Sequence, residues 1–161
     1  MGMPFNADEI FEMAKEIERN GAKFYRVAAT KFKDFSSVFN DLAEMEDQHL
    51  KTFTSMQAQL DSSEQESPVF DPDDQVQMYL RVMADGHIFD TRSDPVKLLT
   101  NLKTPADVLK MAVGLEKDSI AFYVGLREAV PHYAGKEKVE AIIKEEFNHI
   151  VILGQKLREL K

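Results

Sequence analysis

Apolar residues recur at helical spacing along four long stretches of the chain, and near the middle of each stretch the apolar series is broken by a glutamate. Ile10, Ala14, Ile17, Phe24 and Ala28 follow Asn6 and Glu9, whose three-residue spacing is that of a capping box, so a first helix is predicted over about 7–31. Phe35, Val38, Phe39 and Leu42, continuing to Phe53, Met56 and Leu60, predict a second helix after a very short connection around Lys33 and Asp34. From Asp61 the texture changes. Ser62, Ser63, Pro68, Pro72, Gly86 and Pro95 break the periodicity as far as Lys103 and leave only short helical pieces, such as 76–84. Thr104, Pro105 and Asp107 form a strong start for a third helix: Thr caps, Pro suits the first turn and Asp complements the dipole. That helix runs to about Val130. Pro131 stops it, Gly135 sits in the connection, and Val139, Ile142, Ile143, Ile150, Leu153, Leu157 and Leu160 trace a fourth.

A hairpin over 7–60, a long crossover over 61–104 and a second hairpin over 105–160 predict an all-α chain. Short loops within each hairpin and one long connection between them match the connectivity of ferritin-like antiparallel four-helix bundles. At 161 residues a single domain is expected. An internal repeat agrees. With Glu18 laid on Glu116, Ala14 meets Ala112, Ile17 meets Leu115, and Phe24-Tyr25 meets Phe122-Tyr123. A two-residue adjustment then lays Glu46 and His49 on Glu146 and His149.

The glutamates lie on the apolar seams. The second helix has Phe35, Phe39, Leu42, Glu46, His49, Phe53, Met56 and Leu60 in steps of four and three, and Glu146 and His149 stand in line with Val139, Ile142, Leu153 and Leu160. Columns at sevens place Phe11, Glu18, Tyr25 and Phe32 together, and likewise Leu109, Glu116, Tyr123 and Val130. Each helix therefore points one carboxylate inward. Burying four carboxylates costs several kcal/mol apiece unless they are compensated, and no Lys or Arg shares these positions near them. Two divalent cations would balance four Glu charges, and a Glu-x-x-His pair projects both donors from one helix face. The competing explanation is a polar seam filled by solvent or by carboxylate-histidine hydrogen bonds. Tyr25 and Tyr123 read either as core aromatics or as hydroxyl partners of the ligand carboxylates. His87 and His132 have Ala84 and Ala129 at the matching offset and are expected on the surface or in loops. The acidic run from Asp61 to Asp74 reads as a solvated loop face or, more weakly, as an entry path for those cations.

Composition narrows the chemistry. With no cysteine, thiolate catalysis, thiolate zinc and sulfur-held iron are excluded, so any metal takes oxygen and nitrogen ligands. A net charge of -8 argues against nucleic acid or an anionic membrane as partner. No apolar run approaches the ~20 residues of a spanning helix and no signal-peptide pattern opens the chain, so a cytoplasmic location is expected. Apolar area on the crossover and outer faces suggests a homodimer.

On Glu18-x6-Tyr25, Glu46-Asp47-Gln48-His49, Glu116-x6-Tyr123 and Glu146-Phe147-Asn148-His149, the chain resembles the rubrerythrin group of ferritin-like di-iron proteins over about 7–60 and 105–160. The resemblance implies two iron ions, with manganese or zinc as substitutes: Glu46 and Glu146 bridging, Glu18 and Glu116 terminal, and His49 and His149 each capping one iron. It implies an oxidoreductase of peroxidase or ferroxidase type that reacts with hydrogen peroxide or dioxygen, the alternatives being iron handling or a metal-stabilised binding module without turnover. Rubrerythrins carry an added cysteine-ligated rubredoxin domain, which a chain without cysteine lacks, so a separate electron donor is implied. They also carry a further glutamate on the third helix where this chain has Ser119, which leaves a six-ligand set more like that of bacterioferritin.

Overall fold

The computed structural model describes residues 5–60, 71–85 and 94–161. Four long helices dominate: α1 (Ala7–Lys31), α2 (Ser36–Ala58), α5 (Pro105–Ala129) and α6 (Lys136–Glu159). Two shorter ones, α3 (Gln75–Asp85) and α4 (Pro95–Thr100), lie between α2 and α5 in the chain. No strand occurs among the described residues.

The capping signals form as the sequence demands. Asn6 Oδ1 accepts from the Glu9 N–H at 2.8 Å while Glu9 Oε2 accepts from the Asn6 N–H at 2.9 Å, satisfying two donors at the start of α1. Thr104 and Asp107 repeat that exchange at 3.2 and 3.3 Å at the start of α5, with Pro105 in the first turn. A single 3₁₀ turn, Lys33–Phe35, joins α1 to α2. Another, His132–Ala134, leads to Gly135, whose φ of 101° is left-handed and favours glycine there.

α1 packs along α2, and α5 along α6; α1 also meets α5, and α2 meets α6, which closes the four-helix bundle. The crossover helices brace its outside. Gln77 on α3 donates to the Phe5 carbonyl and accepts from the Phe5 N–H, both at 2.9 Å, and α3 lies on α5. α4 lies on α1, where Lys31 Nζ donates to the Leu99 and Leu102 carbonyls at 2.6 and 2.7 Å. Leu99 lies in the last turn of α4 and Leu102 just beyond it, so the ammonium closes the C-terminal end of that helix onto α1.

The apolar core is split in two. One cluster holds Phe11, Phe53, Met56, Leu126, Val139 and Ile142; the other holds Phe24, Phe39, Leu42, Leu109, Leu115 and Leu153. Between them in the sequence of every long helix falls a glutamate of the seam, so a polar layer is sandwiched by two apolar ones.

Two terminal residues depart from the pattern. Leu60 is buried but lies beyond the end of α2 at Ala58, since apolar periodicity reports burial rather than backbone conformation. Leu160, one residue past the end of α6 at Glu159, is 44% exposed. Asp71 accepts from the Gln77 N–H at 2.8 Å and Asp73 is exposed, while the part of the acidic run before Asp71 lies outside the described residues, as does His87. His132 is exposed, as expected.

Candidate metal centre

Glu18 comes from α1, Glu46 and His49 from α2, Glu116 from α5, and Glu146 and His149 from α6. Steps of three and four along each helix bring them to one level of the bundle, and all six are at most 4% exposed. The structure thus brings together every residue singled out by the seam pattern.

They fall into two groups. Glu18, Glu46, His49 and Glu146 offer donor atoms that all lie within 4.8 Å of one another, and so do Glu46, Glu116, Glu146 and His149. Glu46 and Glu146 belong to both. His49 Nδ1 lies 3.0 Å from Glu146 Oε1, 3.5 Å from Glu18 Oε2 and 3.6 Å from Glu46 Oε2. His149 Nδ1 lies 2.9 Å from Glu146 Oε2, 3.4 Å from Glu116 Oε1 and 3.7 Å from Glu46 Oε1. The two imidazole rings stack with centroids 5.6 Å apart and planes 19° from parallel.

Proximity here does not amount to satisfaction. Glu18 Oε2, both Glu146 oxygens, the Nδ1 atoms of His49 and His149, and His149 Nε2 are buried without a properly oriented hydrogen-bond partner among the described residues. Buried polar atoms normally find partners, and six orphaned donors and acceptors in one layer call for a cation. Carboxylate oxygens and imidazole nitrogens offered in two groups, with Glu46 and Glu146 in common, are a donor set that fits metal.

The electrostatics record the same tension. Burial pushes the carboxyls of Glu18, Glu46 and Glu116 above the usual range, and nearby carboxylates add to the rise; Glu116 reaches about 8. Burial and the Glu46 charge also act to raise Glu146, but hydrogen bonding from His149, His49 and Glu116 outweighs them and holds it low. Burial disfavours the imidazolium of both histidines, yet their carboxylate neighbours overcome it; His49 is raised, and His149 reaches about 10.

The tyrosines are placed by function as well as by packing. Tyr25 on α1 donates its hydroxyl to Glu116 Oε1 on α5, and Tyr123 on α5 donates to Glu18 Oε1 on α1. Burial first, then the adjacent glutamate charge, raises each phenol well above its usual value, so each remains a protonated donor. The crossed pair ties the two hairpins together at the level of the site.

Three further residues shape the site. Glu145, half exposed, has Oε2 2.8 Å from His49 Nε2. The inward seams did not reveal it, because it stands one position before Glu146 and so about 100° around the helix; setting the two halves side by side, where Met45 occupies the matching place, was the available signal. Gly21 lies one turn after Glu18, and a Cβ there would come within 3.3 Å of the Glu46 carboxyl carbon. Ser119, at the corresponding place after Glu116, is buried and turns its Oγ back to the Leu115 carbonyl at 3.1 Å. Neither position supplies a fifth carboxylate.

Comparison with curated proteins found no match. Among solved structures, the chain is similar to a candidate ferritin-like diiron-carboxylate protein from Thermotoga maritima, with a TM-score of 0.78 and 24% identity over 100% of both chains. At that identity the likeness supports the fold. The family model described as Rubrerythrin matches residues 9–157. Nearly the whole chain is covered by that match, and the chain therefore belongs to the rubrerythrin family.

Proposed function

We propose that the protein is a di-iron oxidoreductase that reduces hydrogen peroxide or dioxygen with electrons from a separate donor. The observation that carries the reading is the pair of four-residue groups sharing Glu46 and Glu146. Glu46 and Glu146 would be shared between two irons, with Glu18 and His49 holding one and Glu116 and His149 holding the other. When bound, the irons supply the two electrons that, with two protons, convert hydrogen peroxide to two waters.

The chain's own residues do the rest. Donors on four braced helices keep both positions at fixed separation, so little reorganisation is needed during turnover. Tyr123 holds Glu18 Oε1 and leaves Oε2 facing His49, whereas Tyr25 holds Glu116 Oε1, the oxygen that also faces His149, so each phenol fixes the orientation of one terminal glutamate. The apolar clusters on both sides exclude bulk water. A solvent-open groove between α2 and α6, lined by Lys51, Thr52, Lys138 and Glu145, reaches the edge of His49 and offers a small oxidant its approach.

Stopped-flow mixing of the anaerobically reduced, iron-loaded protein with peroxide tests the reading. Oxidation much faster than that of ferrous ion in buffer is expected, and Glu46→Ala should abolish it. A rate equal to that in buffer would end the peroxidase reading; iron retained in large excess of two per chain would favour storage instead.

A further inference from the structure

The two halves of the centre are alike in their inner donors and unlike just outside them. His49 presents Nδ1 to the carboxylate cluster and Nε2 to Glu145 Oε2 at 2.8 Å. A carboxylate in that place accepts the Nε2 proton, which leaves the Nδ1 lone pair for a cation and fixes the plane of the ring. His149 also presents Nδ1 to the cluster, but its Nε2 is buried with no hydrogen-bond partner among the described residues. The repeat explains the difference. Glu145 immediately precedes Glu146, and the residue immediately preceding Glu46 is Met45, which has no oxygen to accept a proton.

Resting on the metal-centre reading above, we propose that Glu145 is a positioning residue for His49 and that the two metal positions are therefore unequal: the one bounded by Glu18 and His49 fills first and holds its ion, whereas the one bounded by Glu116 and His149 is the exchangeable one. Glu145 fixes the ring plane of His49 and the proton on its Nε2 before any ion arrives, which reserves Nδ1 for the ion. The imidazole of His149 must choose its tautomer and orientation when the ion binds, and its free N–H stays unpaired in the bound state. Outer carboxylate partners of this type typically change metal affinity by roughly 10- to 100-fold. Glu145 also lines the groove that reaches His49, so the favoured position is the one nearest solvent.

Cobalt(II) provides a test that needs no turnover. The full-length, chelator-stripped protein is titrated with cobalt by calorimetry and by its visible absorption, for the wild-type chain and for E145M, E145Q, M45E, H49A and H149A. Two steps separated by roughly 10- to 100-fold are expected in the wild type, with H49A removing the tighter and H149A the weaker. E145M should weaken the tighter step until the two merge, E145Q should keep much of the separation because its amide oxygen still accepts, and M45E should strengthen the weaker step. Far-UV circular dichroism of each stripped variant confirms that the helices persist. Two equal steps in the wild type, or unchanged steps in E145M, would overturn the inequality while leaving a dinuclear centre intact. Failure to bind any cobalt would overturn both this proposal and the metal-centre reading.

Discussion

Tyr25 and Tyr123 show how much a single hydroxyl can matter in a dry polar layer. Each ring is already well packed, Tyr25 stacked on Phe39 with centroids 6.1 Å apart and Tyr123 against Phe53 at 5.2 Å. Replacing either by Phe keeps that packing and deletes only the donor to a buried glutamate. An oxygen left without its donor in such a setting costs about 1–3 kcal/mol. Y25F and Y123F are therefore each expected to lower the urea unfolding free energy of the stripped protein by that amount, with the m-value unchanged. A loss below a few tenths of a kcal/mol would show that the hydroxyls do not hold Glu116 and Glu18. The two glutamates are neighbours in one layer, so the double variant should depart from additivity.

At the scale of elements, the crossover helix α3 is held by close contact with α5, and two glycines of α5 separate contact from propensity. A Cβ added at Gly125 would lie 2.7 Å from Tyr79 Cδ1 and 2.9 Å from Leu80 Cδ2, both on α3, and Leu80 is fully buried. At Gly114 an added Cβ meets nothing within 4 Å. G114A should stabilise by about 0.5–1 kcal/mol through helix propensity alone. G125A gains the same propensity but must push α3 outward at a cost of about 1–3 kcal/mol, so a net loss is expected in urea melts, with faster proteolysis around Tyr79. Equal stabilisation by both would mean that α3 does not seat on α5. How much could be read from the sequence differs by element for the same reason. The four long helices were legible because each has a periodic apolar seam and, for α1 and α5, a capping box. The bracing of α3 by Gln77 and of α4 by Lys31 was not, since both depend on contacts across about 70 positions of chain that no local pattern encodes. The six inward donors stood out as polar breaks in apolar seams. Glu145 did not, because its place on the surface of α6 looks ordinary until the fold carries His49 up to it.

For the whole molecule, a charged layer between two apolar clusters makes stability depend on what neutralises that layer. In the stripped protein Glu116 titrates near 8 and His149 near 10, both above their unfolded values of roughly 4.3 and 6.5, and His49 is raised as well. Between pH 6 and 9 the folded chain therefore binds more protons than the unfolded one, and the stabilisation that these groups provide is lost as pH rises through their folded values. Glu146, held low, has the opposite sign, but its contribution changes only in the acid range below about pH 4.5. Loading with metal reverses the relation. Bound ligands are deprotonated, so the loaded chain binds fewer protons than the unfolded one, and its stability should rise up to about pH 7 and then stay level. Thermal melts of stripped and loaded protein across pH 6 to 9 should accordingly diverge, the stripped midpoint falling while the loaded one does not. At pH 7, one ion held at 100 times its Kd adds about 2.7 kcal/mol, and removing it should lower the midpoint by about 5–10 °C for a chain of this length. The helical signal should survive stripping, because the apolar clusters on either side of the layer and the caps of α1 and α5 do not depend on the metal. Parallel pH profiles would mean that the buried carboxylates do not share their charge with bound cations, whatever else the bundle binds.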